Sequence, residues 1–151
     1  GITLRQLIDL GGGMRGGSTM QAILLGGAAG GFVGPNDLDL PLTMEATRAA
    51  GSSLGSGVVM VLDQSVDMVD QLRRIAAFFR DESCGQCVPC RVGTVRQEEI
   101  VSRLAKGVQS QDIELLRELG TVMRDASICG LGQTANSAID SAINKLKVFA
   151  V

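Results

Sequence analysis

The sequence predicts an α+β chain in two parts. Residues 1–64 form a small sheet region jointed by glycines, and residues 65–151 form a small antiparallel bundle of four helices. Three observations predict this. Fourteen of the 20 glycines lie in residues 1–57. Residues 64–151 hold 11 of the 14 basic and 11 of the 16 acidic residues. Apolar residues recur at helical spacing in four separate stretches after residue 64, and the 4 cysteines sit between those stretches.

"TLRQLIDLGG" (3–12) places Leu4, Leu7 and Ile8 on one helical face, with Thr3 as N-cap and Gly11 as C-cap. "QAILLGG" (21–27) and "GVVMVLD" (57–63) are short apolar runs flanked by turn residues and are expected to be strands. "TMEATRAAG" (43–51), with a threonine at its start, an acid in its first turn and a closing glycine, is expected to be one short helix. Two strands make a poor sheet, so partner strands are expected upstream of Gly1 or in a larger complex.

The second part reads as four helices. Their apolar faces are Val69, Leu72, Ile75, Ala76 and Phe79; Val92, Val95, Ile100 and Leu104; Ile113, Leu116, Leu119, Val122 and Met123; and Ala135, Ala138, Ile139, Ala142, Ile143, Leu146 and Phe149. The first connection holds Cys84, Cys87 and Cys90, and the third holds Cys129. One helix leads away from the first connection and the next leads back. Topology alone therefore returns Cys129 to the end of the bundle where the other three lie.

Composition excludes several classes of function. The chain has no histidine, which removes the commonest general base and any Ser-His or Cys-His pair. A net charge of -2 without basic stripes, and without Trp or Tyr, is no nucleic-acid footprint. The apolar run "AILLGGAAGGFVG" (22–34) is too short and too rich in glycine to insert directly into a membrane, and is expected to supply a buried strand and tight turns. The chain starts at Gly1 without a basic-then-apolar leader and reads as part of something larger, with a reducing cytoplasm as its expected compartment.

In that setting the pattern C-x2-C-x2-C, separated by 38 residues from a fourth cysteine, points to a [4Fe-4S] site. Two duller readings compete. Structural zinc also takes four thiolates, but usually from two separated C-x2-C pairs. Two disulfides would need an oxidising compartment. Around the ligands, Gly85 is expected to turn the loop, and backbone amides from Ser83 through Gln86 to Cys87 to face the sulfurs. Pro89 stiffens the approach to Cys90, and Arg91 adds a nearby positive charge. Gly130, beside Cys129, completes the surrounding candidates. No residue is assigned a catalytic role. "GGGMRG" (11–16) matches G-x-G-x-x-G literally, but a helix and not a strand precedes it, so it reads as a turn. Arg73, Arg74 and Arg80 read as a solvated face.

"ESCGQCVPCRVGT" followed by "SICGLGQTA" closely resembles the C-terminal region of a family of NADH-binding flavoprotein subunits. That family is shared by respiratory complex I, NAD-reducing hydrogenases and NAD-dependent molybdenum or tungsten formate dehydrogenases. "GITLRQLIDLGGGMRGG", "DLPLTMEATRAAGSSLGSG" and "VVMVLD" resemble its soluble-ligand-binding β-grasp domain, and the residues from about 66 onward its iron-sulfur helical domain. The resemblance implies a partial ubiquitin-like β-grasp domain followed by a four-helix bundle. It implies that Cys84, Cys87, Cys90 and Cys129 hold a [4Fe-4S] cluster that receives electrons from FMN. The family's FMN and NAD(H) region has no counterpart here. The implied partners are further iron-sulfur subunits, including a small ferredoxin-like subunit and a catalytic subunit. "CGLGQ" looks more like the hydrogenase and formate dehydrogenase branch than complex I, with NAD-dependent formate dehydrogenase the favoured parent. "TANSA" (134–138) departs from relatives, which often carry proline there, and is expected to start a helix all the same.

Overall fold

The computed structural model describes residues 1–150, in which seven α-helices accompany three strands. Thr3 opens α1 (Leu4–Leu10). Its hydroxyl accepts from the Gln6 N–H while the Gln6 side chain accepts from the Thr3 N–H, and the helix closes at Gly11 as expected. The glycines at 12, 13, 16 and 17 all have positive φ, which makes the G-x-G-x-x-G match a turn region behind a helix.

β1 (Met20–Leu25) is the central strand. It pairs antiparallel with β2 (Gly31–Val33) and with β3 (Val59–Asp63). Only β1 and β3 are legible as strands in the sequence; β2 is a third. Its three residues are embedded in a glycine-rich stretch that hides the apolar run. The same glycines make the strand possible, since a Cβ on Gly30 would stand 1.6 Å from the Leu25 carbonyl oxygen. The strands thus pair with one another and β1 has a neighbour on each side. α2 (Met44–Ala49) is capped by the Thr43 hydroxyl on the Ala46 N–H, as expected.

Alternation divides the sheet's two faces. Ile23, Leu25 and Val33 pack with Leu4 of α1 on one side. Ala22, Leu24, Phe32 and Leu62 pack on the other with residues of the helices that follow. One core therefore runs across residue 64.

The helices are α3 (Met68–Asp81), α4 (Val88–Leu104), α5 (Ser110–Ala126), α6 (Gly130–Thr134) and α7 (Ser137–Lys145). The expected fourth helix is two pieces, broken at Ala135–Asn136, and it stops short of Phe149. Lys147 (φ 57°) and Phe149 (φ 69°) are left-handed, so no helix continues through them. Three valines expected inside are largely exposed: Val92 (45%), Val95 (37%) and Val122 (53%). Glycine and polar residues are buried in their place. α4 buries Gly93, Thr94 and Gln97, and α5 buries Gly120. A Cβ on Gly93 would stand 2.5 Å from Met123, so α4 and α5 approach too closely for valine there. On α3, Met68 is buried in place of Val69. Arg73 and Arg74 are exposed, and Arg80 ties α3 to Glu98 of α4.

Among the described residues no helix is long and apolar enough to cross a membrane. Phe79 is 2% exposed in the shared core. Phe79→Ala is expected to lower unfolding stability by about 3–5 kcal/mol, read as a shift of the urea midpoint at unchanged slope.

Candidate iron-sulfur site

The loop after α3 turns at Gly85, whose φ is +76°, the left-handed value that favours glycine. Cys87 is the N-cap of α4, with Pro89 in the first turn, where a missing N–H costs nothing. At the far end of α5 the chain leaves the helix at Ser127 in an extended conformation, and Cys129 becomes the N-cap of α6. Two cysteines therefore stand at the points where helices begin.

Cys84, Cys87, Cys90 and Cys129 line one cavity of about 250 Å³, together with Glu82, Gln86, Ile128 and Leu131. Cys90 is buried, Cys87 is half-buried, and Cys84 and Cys129 are exposed, so the cavity is a bowl with an inner wall and an open rim. All four thiols are free. Among the described residues no three His, Cys, Asp or Glu side chains converge closely enough for a single metal ion.

Local donors favour thiolate at Cys87. The Cys87 thiol is pushed below its ordinary range, first by the Ile128 backbone N–H and then by that of Cys90, with the Ser127 hydroxyl adding a smaller effect against desolvation. Cys87 also sits where the N-terminus of the 17-residue α4 favours negative charge. The Ser83 Oγ lies 3.2 Å from the Cys90 Sγ while accepting from the Gly85 N–H at 3.4 Å.

The surrounding candidates divide. Gln86 lines the cavity, Ser83 reaches the Cys90 sulfur through its hydroxyl, and Gly85 turns the loop without lining the cavity. Arg91 donates to the Gly85 carbonyl at 3.3 Å and so braces the loop. Gly130 does not line the cavity, and a Cβ there would meet nothing within 4 Å. The glycine that packing requires is Gly132. A Cβ on it would stand 2.4 Å from the Ser127 Oγ and 2.9 Å from the Cys90 Cβ. Sequence reasoning also misses Gln97, which is fully buried and donates to the Ala135 carbonyl at 2.9 Å, bracing the break between α6 and α7. A second glycine shortly after Cys129, inside a helix start, is the one available signal for Gly132.

Four soft sulfur donors around one cavity, flanked by half-buried Leu131 and by exposed Ile128 at the rim, with N–H and O–H donors beside them, fit an iron-sulfur group. Comparison with known proteins agrees. The family model described as the NADH-ubiquinone oxidoreductase-F iron-sulfur binding region matches residues 70–148. The NADP-reducing hydrogenase subunit HndC of Solidesulfovibrio fructosivorans is 38% identical over 95% of this chain and 30% of its own length. An NADH-quinone oxidoreductase subunit of Mycobacterium tuberculosis (strain ATCC 25618 / H37Rv) is 37% identical over 97% of this chain and 33% of its own. The crystal structure of an NAD+-reducing [NiFe]-hydrogenase in the H2-reduced state superposes with a TM-score of 0.83 at 32% identity, covering 99% of this chain and 25% of that one. The air-oxidized state gives 0.84 at 31%. The chain thus spans about a third of the length of these curated relatives. The cofactor of the matched region is a [4Fe-4S] cluster. The chain belongs to the NADH-ubiquinone oxidoreductase-F iron-sulfur binding region family.

Proposed function

We propose that this chain is the electron-transfer portion of the flavoprotein (diaphorase) subunit of an NAD(H)-linked oxidoreductase complex, with Cys84, Cys87, Cys90 and Cys129 as the ligands of its [4Fe-4S] cluster. One observation carries the proposal: a cysteine far along the sequence shares one cavity with the C-x2-C-x2-C trio. When bound, the cluster takes up and releases one electron at a time. The chain's own residues do the rest. Cys90 and Cys87 form the inner wall, the apolar side chains of Ile128 and Leu131 limit water, and Ser83 and the backbone amides offset negative charge on sulfur. No residue here is given acid-base work, and none is assigned to FMN or NAD(H), which belong to other regions of the parent protein.

The division into a partial β-grasp domain (1–64) and an iron-sulfur helical bundle (65–151) is retained as a division by kinship. The partners are further iron-sulfur subunits, among them a small ferredoxin-like subunit and a catalytic subunit, in the cytoplasm. For the parent complex, the relatives' names support an NAD(P)-reducing hydrogenase or an NADH-quinone oxidoreductase. NAD-dependent formate dehydrogenase rests on "CGLGQ" alone. The co-purifying subunit separates the three: a nickel-iron protein, a membrane arm or a molybdopterin protein.

The rival of another class is a zinc-stapled interaction module. A single zinc draws four sulfurs to about 2.3 Å from one point, whereas these four thiols are spread around a cavity. Anaerobic purification followed by metal and sulfide analysis decides between them. About four irons and four acid-labile sulfides per chain are expected. A colourless protein with one zinc and no sulfide ends the electron-transfer reading.

A further inference from the structure

We infer that the Ser83 hydroxyl donates a hydrogen bond to the Cys90 sulfur when that sulfur is a ligand, and thereby raises the reduction potential of the bound cluster. The inference rests on the iron-sulfur reading above. The Ser83 Oγ and the Cys90 Sγ are 3.2 Å apart, and between a free thiol and a hydroxyl either atom can be the donor. A ligating sulfur is a thiolate and has no proton to give. The hydroxyl is then the only donor of the pair. Its oxygen already accepts from the Gly85 N–H at 3.4 Å, which leaves the O–H free for sulfur.

The contact belongs to a series of hydrogen bonds that closes on itself. The Arg91 guanidinium donates to the Gly85 carbonyl at 3.3 Å, the Gly85 N–H donates to Ser83, and Ser83 meets Cys90, the residue before Arg91. Gly85, at φ +76°, takes part through both of its main-chain groups. The Ser83 N–H donates to the Arg80 carbonyl at 3.4 Å, which ties the serine to the last turn of α3. Hydrogen bonds in series polarise one another, and Arg91 places a positive charge behind this one.

Cys90 is the sulfur at which such a donor counts most. It is 5% exposed and is the one buried cysteine of the four, whereas Cys84 and Cys129 are open to water. Solvent competes least there, and a hydrogen bond is stronger in less polar surroundings. Reduction adds one electron and no proton, and part of the added charge falls on the ligand sulfurs. A fixed donor on the most sheltered sulfur stabilises the reduced form more than the oxidised one, and so raises the potential. Ser83 acts through Cys90 and is a positioning residue.

The test uses Ser83→Ala, Ser83→Gly and Ser83→Thr in the full polypeptide, purified without oxygen, with iron and sulfide counted. The reduced fraction is followed by electron paramagnetic resonance during a potentiometric titration with dithionite. At a fixed potential, Ser83→Ala is expected to lower the reduced-to-oxidised ratio about tenfold, which is about 59 mV for a one-electron couple. Ser83→Thr, which keeps the hydroxyl, is expected to stay within about threefold of the wild type. Equal potentials in wild type and Ser83→Ala overturn the inference. So does an equal fall in Ser83→Ala and Ser83→Thr, which would make the effect one of packing and not of the hydroxyl. Should Ser83→Ala lose iron, Ser83→Gly is read by the same criterion, and loss of iron from both assigns Ser83 to assembly of the site and overturns it too. A wild type that takes up no cluster fails at an earlier step: it removes the iron-sulfur reading, and this inference with it.

Discussion

Cys129→Ser protein, purified without oxygen, is expected to carry no four-iron cluster: either iron is lost, or a three-iron form with its own oxidised-state paramagnetic signal remains. Cys129 is the only ligand candidate from outside the 82–91 stretch and lies on the exposed rim of the cavity. Losing it removes one corner of the site while leaving the other three thiols in place. A serine oxygen is a harder and weaker donor toward iron than thiolate. The substitution is mild toward the fold. Position 129 is an N-cap, where serine is among the favoured residues, so helix content and melting of the apoprotein are expected to hold. Helical circular dichroism at wild-type level with iron below four per chain separates ligand loss from misfolding. A four-iron signal equal to that of the wild type sinks Cys129 as the fourth ligand.

Gly132→Ala is expected to act nearly as strongly from a position that binds nothing. On an open helix this change is worth about 1 kcal/mol in favour of alanine. Here the new methyl would stand 2.6 Å from the Ser127 Cβ and 2.9 Å from the Cys90 Cβ, closer than carbon atoms pack. Overpacking of this kind costs about 1–3 kcal/mol, and relief requires α6 to move away from α4. Cys129 rides on that helix. A lower melting temperature together with iron well below four per chain is therefore expected. Gly130→Ala supplies the control, because a methyl there meets nothing within 4 Å. It is expected to melt no lower than wild type and to bind iron fully. Identical iron content in the two variants would show that the Ser127–Cys90–Gly132 contact does not position Cys129.

These contrasts mark what a linear reading reaches. The four cysteines are legible because the chain has no spare one, and because a pair of helices must bring its ends back together. Thr3, Thr43 and Gly11 are legible because capping depends on a few neighbouring residues. Close approach between elements is not local, and here the reading fails. Periodicity put Val92 and Val95 inside, whereas α4 turns Gly93, Thr94 and Gln97 inward, and at Gly93 α5 comes too near for any side chain. β2 escapes for the same reason: its glycines look like loop until the tight return to β1 is known. Around the site, Gly130 is nominated by adjacency, while Gly132, Ser127 and Gln97 are recognised only through what touches them.

The core that runs across residue 64 bears on how pieces of such a protein can be handled. Phe32 of β2 donates its N–H to the Ser141 hydroxyl of α7 at 2.7 Å, and the Lys145 ammonium reaches the Gly51 carbonyl at 3.1 Å. The last helix is thereby stitched to the first sheet. Scissors placed at the boundary that kinship suggests would cut through an interior, leaving Ala22, Leu24, Phe32 and Leu62 facing solvent on one fragment and Leu72 and Ile139 on the other. A cassette meant for grafting a cluster into another scaffold has to begin before β1, and the sheet belongs in it as ballast the cluster cannot shed.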